Sequence, residues 1–117
     1  MFGEGEPVPD KISVSEAESE RIERLQGRRD YFFNTLKTIC ESEAYNYKEI
    51  TGSDSHEENE WIEYRFLPLK GEGNLPDYEF YRFFEKLMNE LDSNEYYVTW
   101  YEHPTVGQVV KVEIDES

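Results

Sequence analysis

Residues 94–115, NEYYVTWYEHPTVGQVVKVEID, decide the fold class. Tyr96, Val98 and Trp100 alternate with Tyr97, Thr99 and Tyr101, and beyond His103-Pro104-Thr105 the residues Val110, Val112 and Ile114 alternate with Lys111, Glu113 and Asp115. Successive side chains of a strand point to opposite faces, so the pattern predicts strands at 94–102 and 106–115, each with one apolar face and one wet face. Pro104 has no N–H to give a ladder and turns the chain between them. The connection is too short for a crossover, so the two strands are antiparallel.

Working towards the N-terminus, the period changes. Phe80, Phe84, Leu87 and Leu91, with Phe83 and Met88 beside them, recur at helical spacing and predict a helix over 76–92, with Pro76 suited to its first turn. Residues 70–74, KGEGN, break the structure before it. A second strand pair is predicted at 44–50 and 60–67, with Ile62, Tyr64 and Phe66 inward and Trp61, Glu63 and Arg65 outward. Ser15 and Glu18 fit a capping box, so a first helix starts at Ser15 and runs to about Glu41, weakened at Gly27. Its apolar positions are Ile22, Leu25, Phe32, Phe33, Leu36, Ile39 and Cys40. Residues 1–14, with Gly3, Gly5, Pro7 and Pro9, read as a flexible acidic arm. The expected whole is that arm followed by one α+β domain over 15–117. Its order is α-β-β-α-β-β, a four-stranded antiparallel sheet with both helices packed on one face. The other face meets water and carries Trp61, Glu63, Tyr97, Tyr101, Glu113 and Asp115.

Charge is the second signal. The chain has 27 Asp and Glu against 12 Lys and Arg, a net charge of −15 over 117 residues. Solubility asks for a magnitude of only about 2–8 in a small domain, and a larger field destabilises the fold by self-repulsion. It also argues against direct nucleic-acid binding, which needs Lys and Arg to neutralise phosphates. The expected partner is therefore basic. Halophilic adaptation would give a similar charge, but two Ala beside nine Tyr and seven Phe do not suit it.

The acids are concentrated. Residues 41–63, ESEAYNYKEITGSDSHEENEWIE, hold Glu41, Glu43, Glu49, Asp54, Glu57, Glu58, Glu60 and Glu63 against Lys48 alone, whereas Arg21, Arg24, Arg28, Arg29 and Lys37 fall in the first helix. The segment reads as a negatively charged hairpin. Residues two apart in a strand lie roughly 6.6–6.8 Å apart on one side. That is close to the separation of successive phosphates along one DNA strand, in a duplex that presents one charge per ~1.7 Å of axis with both strands counted. Glu113 and Asp115 have this spacing, as do Glu58 and Glu60 if the strand begins early. Carboxylates so placed can satisfy Arg and Lys side chains that otherwise take phosphates. Trp61, Tyr97 and Tyr101 would add contact area at low entropic cost.

No catalytic constellation is present. His56 and His103 have acidic neighbours but no metal-ligand spacing, and there is no phosphate loop, nucleophile elbow or CxxC. Asp54, Glu57, Glu58 and Glu60 lack the order of a calcium loop. A non-enzymatic protein without cofactor or metal is expected. Cys40 is single, no basic-then-apolar leader precedes the domain and no apolar run spans a membrane, so the cytoplasm is the expected compartment.

In size, acid excess, layout and lack of a catalytic motif, the chain resembles the DNA-mimic proteins of bacteria and phages, in particular the neisserial type that binds the histone-like nucleoid protein HU. The resemblance implies a monomer whose acidic surface occupies the DNA-binding face of a basic protein, competes with DNA and is nucleoid-associated through that partner. The alternative is an immunity protein or phage-encoded inhibitor of a basic nuclease, served equally by electrostatic steering.

Overall fold

A computed structural model describes residues 7–50 and 62–116, with side chains described over 16–50 and 62–116. Its longest element is α1, Pro7–Glu43. The helix begins at Pro7 and not at the expected Ser15. Pro7 and Pro9 fall in its first turn, where backbone N–H groups have no helical acceptor and a missing donor costs nothing. Nor does Gly27 interrupt it, because the packed residues on either side hold one continuous face. Leu25, Phe32, Leu36, Ile39 and Cys40 are all buried on that face, while Ile22 is 45% exposed.

The helix ends in a specific cap. Ala44 takes a left-handed φ of 59°, and the Tyr45 amide reaches back to the Cys40 carbonyl at 2.8 Å. This is the 6→1 bond of a Schellman motif, with buried Tyr45 and Cys40 supplying its apolar contact. The reversal sends the chain into β1, Asn46–Glu49, which pairs antiparallel with β2, Glu63–Lys70.

Where a simple break was expected, a fifth strand forms. Gly71, at φ 66°, turns β2 into β3, Gly73–Asn74. Asn74 then ties the sheet together, its Nδ2 donating to the Val106 carbonyl at 2.9 Å. Next comes α2, Asp77–Glu90, preceded by Pro76, whose carbonyl accepts from the Phe80 amide. Phe80, Phe83 and Leu87 are its buried residues and Met88 is exposed, so the inward face is rotated from the expected Phe80-Phe84-Leu87 stripe. β4, Tyr96–His103, and β5, Gly107–Ile114, form the C-terminal hairpin.

The strand order is β1-β2-β5-β4, all antiparallel, with β3 beside β2. The β2–β5 pair therefore joins the two hairpins through the centre of the sheet. Phe66, Val110, Val112, Ile114 and Tyr96 share one core with α1 and α2, so both helices lie on one face as expected. Phe32, Phe66, Tyr64 and Phe83 pack edge-to-face or tilted across that layer with ring centres 5.7–6.2 Å apart. The opposite face is not wholly wet. Leu67 and Val109 alternate away from the core and are still buried there, at 7% and 0% exposure. Arg65 lies 6.0 Å over the Tyr101 ring on that face.

Candidate functional site

Three bases of the first helix are consumed by the chain itself. Arg21, Arg24 and Arg28 project from one flank of α1 towards the end of β5. Arg21 pairs with the Glu116 carboxylate, Arg24 donates to the Glu116 carbonyl at 3.2 Å and Arg28 donates to the Asp115 carbonyl. Arg28 also faces Glu95 at 3.7 Å. The basic stripe that departs from an all-acidic surface thus works as a clamp on residues 115–116. Elsewhere Lys70 and Arg82 are engaged by Glu79 and Glu43 at 3.2 and 3.0 Å.

The carboxylates of α1 are placed differently. At about 100° per residue, Glu16, Glu20, Glu23, Asp30 and Glu41 fall within one narrow sector of the helix, opposite Leu25, Phe32 and Leu36. All five are exposed, and among the described residues none has an ion pair or hydrogen bond. Over 25 residues at ~1.5 Å each, the stripe is roughly 37 Å long. Among the described residues Lys37 lies near its line, one turn before Glu41, and Arg24 borders it, one turn after Glu20. The first three members show as a stripe in the sequence, but the continuation to Glu41 depends on the helix passing through Gly27.

The expected hairpin of acids is dispersed. Glu41 and Glu43 end α1, and Glu43 is paired with Arg82. Glu49 closes β1 on the helix side of the sheet, where its charge helps to push the Tyr64 phenol up to about 12, behind the larger effect of burial. Glu63 lies on the other face of the sheet. Asp54, Glu57, Glu58, Glu60, Trp61 and His56 lie outside the described residues.

On that face, register brings two predicted residues together. Glu63 is opposite Glu113, and the next outward pair is Arg65 opposite Lys111. Each carboxylate binds the base of its own strand, Glu63 to Arg65 at 2.7 Å and Glu113 to Lys111 at 3.0 Å. The four charges cancel. Tyr97 lies beside Glu113, 64% exposed, and Tyr101 beside Val109, both on the open face as expected. Asp115 is one residue past β5, its amide bonded to the Glu95 carbonyl and its own carbonyl held by Arg28.

The other titratable groups have structural tasks. His103 accepts at Nδ1 from the Thr105 and Val106 amides, at 3.1 and 3.4 Å, and shapes the β4–β5 turn. The Tyr45 hydroxyl donates to Glu79 at 2.7 Å and, with Lys70 and Arg82, holds that carboxyl below its usual range. Burial pushes the Cys40 thiol up to about 11, which leaves it a poor nucleophile. Among the described residues no group of three His, Cys, Asp or Glu could hold a metal, and no helix is long and apolar enough to cross a membrane. No family model, curated protein or solved structure matches this chain.

Proposed function

We propose that the protein is an acidic decoy that occupies the DNA-binding surface of a basic DNA-binding protein and competes with duplex DNA. The observation that carries this is the unequal use of charge. The chain turns Arg21, Arg24, Arg28, Lys70 and Arg82 onto its own carboxylates and carbonyls, whereas among the described residues Glu16, Glu20, Glu23, Asp30 and Glu41 have no ion pair or hydrogen bond along one exposed helix face. On a domain of net charge −15, that face is a long anionic ridge. Such a ridge steers a basic partner at long range and offers acceptors to its Lys and Arg. The histone-like protein HU is the candidate that the resemblance implies.

The test is capture from bacterial lysate at low salt, eluted first with duplex DNA and then with salt. Two variants serve as baits beside it: Glu16, Glu20, Glu23 and Glu41 to Gln, and Glu57, Glu58, Glu60 and Glu63 to Gln. The proposal expects a basic DNA-binding protein that elutes with DNA and is lost from at least one variant. Retention of no basic protein, or equal capture by both variants, overturns it. A basic nuclease that resists DNA elution would instead favour the inhibitor reading.

A further inference from the structure

The two edges of the sheet are built to different rules. β1 is short, four residues, of which Asn46, Lys48 and Glu49 are exposed. A brief, charged edge of this kind discourages strand addition. β4 has eight residues, YYVTWYEH, with no Lys, Pro or Gly and one carboxylate, Glu102. Glu102 is its one edge charge, and it lacks the short length, Lys and Pro that otherwise blunt an edge.

Ladder parity shows which groups are free. The Asp115 amide donates to the Glu95 carbonyl, so Glu95 faces β5. Antiparallel alternation then directs Tyr97, Thr99 and Tyr101 to β5 and turns the N–H and C=O of Val98, Trp100 and Glu102 outward. Among the described residues no strand pairs with that side. Side chains flank it on both faces: Tyr97 on the open side, and on the helix side Trp100 against Tyr81, with ring centres 5.7 Å apart and Tyr81 51% exposed.

Charge selects the occupant. A second copy would bring another −15 against this one and set Glu102 of each near the same edge. A strand carrying Lys or Arg beside Glu102 and β-branched residues over Trp100 and Val98 meets both the field and the free backbone groups. We propose that β4 accepts an extended, basic-flanked segment of a partner protein as an added strand. This rests on the proposed basic partner for the sign of the flanking charges and on the sheet edge for the mode of binding.

The test is amide hydrogen exchange of the whole protein with a capped peptide, Lys-Thr-Val-Thr-Val-Thr-Lys, and with its counterpart carrying Glu at both ends. The Lys peptide is expected to slow exchange at Val98, Trp100 and Glu102 about tenfold, while the Glu peptide has no effect. Val98→Pro removes one outward donor without touching the β4–β5 ladder and should weaken the peptide about tenfold. If that variant loses the native amide spectrum, Glu102→Lys at an exposed position takes its place and should abolish the response to the Lys peptide. Absence of protection, undiminished binding by the variant, or protection that grows with protein concentration alone overturns the proposal, the last by giving the edge to a second copy. The two proposals fail separately. A basic protein captured and released by DNA, yet held equally by Val98→Pro, leaves the decoy standing and removes strand addition. Peptide protection without any basic protein in the lysate capture does the reverse.

Discussion

Two exposed faces of this molecule carry charge, and they carry it in opposite ways. On the outer face of α1, Glu16, Glu20, Glu23, Asp30 and Glu41 make no ion pair or hydrogen bond among the described residues, although Lys37 lies near their line. On the open face of the sheet, Glu63-Arg65 and Lys111-Glu113 are each closed within one strand and set side by side by the β2–β5 register. The helix spaces Glu16, Glu20 and Glu23 four and three residues apart on one side, where like charges repel. The strands space unlike charges two apart on one side, where they bind. Exposure is therefore a poor guide to interaction potential. What matters is whether a charge already has a partner in its own chain.

The contrast can be broken most directly by partner binding. Replacing Glu16, Glu20, Glu23 and Glu41 by Gln should slow association with the captured basic protein by on the order of tenfold to a hundredfold, measured by stopped flow at low salt. Glu63→Gln with Glu113→Gln should change it less than about twofold. If the sheet variant has the larger effect, the anionic ridge is the wrong surface.

Between the two charged faces, the core layer holds phenols whose ionisation the fold resists, Tyr64 and Tyr96 most strongly. Burial raises both Tyr64 and Tyr96 to about 12 from 10. The unfolded chain gives up these protons first, so stability is fully present below pH 10 and falls as pH rises from 10 towards 12. Chemical denaturation across this window should show the loss, and Tyr96→Phe should reduce it. An unchanged slope in that variant would mean that Tyr96 ionises freely.

Smaller effects sharpen the comparison on the helix side. An added Cβ at Gly27 meets nothing within 4 Å, so Gly27→Ala should stabilise the protein by about 1 kcal/mol in denaturant melts. A destabilised variant would show that the helix face is covered. Smallest is the sheet quartet. Glu63→Gln should cost about 0.5 kcal/mol, because the pair is partly exposed and screened, and Glu20→Gln should cost nothing. A double-mutant cycle with Arg65→Gln measures the coupling.

Much of the architecture was legible because apolar periodicity reports burial. Ile62, Tyr64 and Phe66, and likewise Val110, Val112 and Ile114, face the helices as their alternation requires. The errors are where local signals competed. The Ser15 capping box lost to a helix already running from Pro7, since a side-chain cap matters only where donors are orphaned. A reading of Gly71 and Gly73 as a break missed that a glycine turn can close a two-residue strand.

The candidate surface was legible in part. The acid excess, the Glu16-Glu20-Glu23 stripe and the exposure of Tyr97 come from composition and period alone. The use of Arg21, Arg24 and Arg28 on residues 115–116 does not, because those partners are some 90 positions away and only the packing of α1 against the end of β5 unites them. The same holds for the neutral quartet, which needs the β2–β5 register. By itself the sequence determined the helices, most of the strands and the total charge, because these depend on neighbours along the chain. Only the tertiary structure decided which charges cancel and which edge of the sheet has no strand beside it among the described residues, because Coulomb pairing and strand pairing depend on distances that the chain order does not contain.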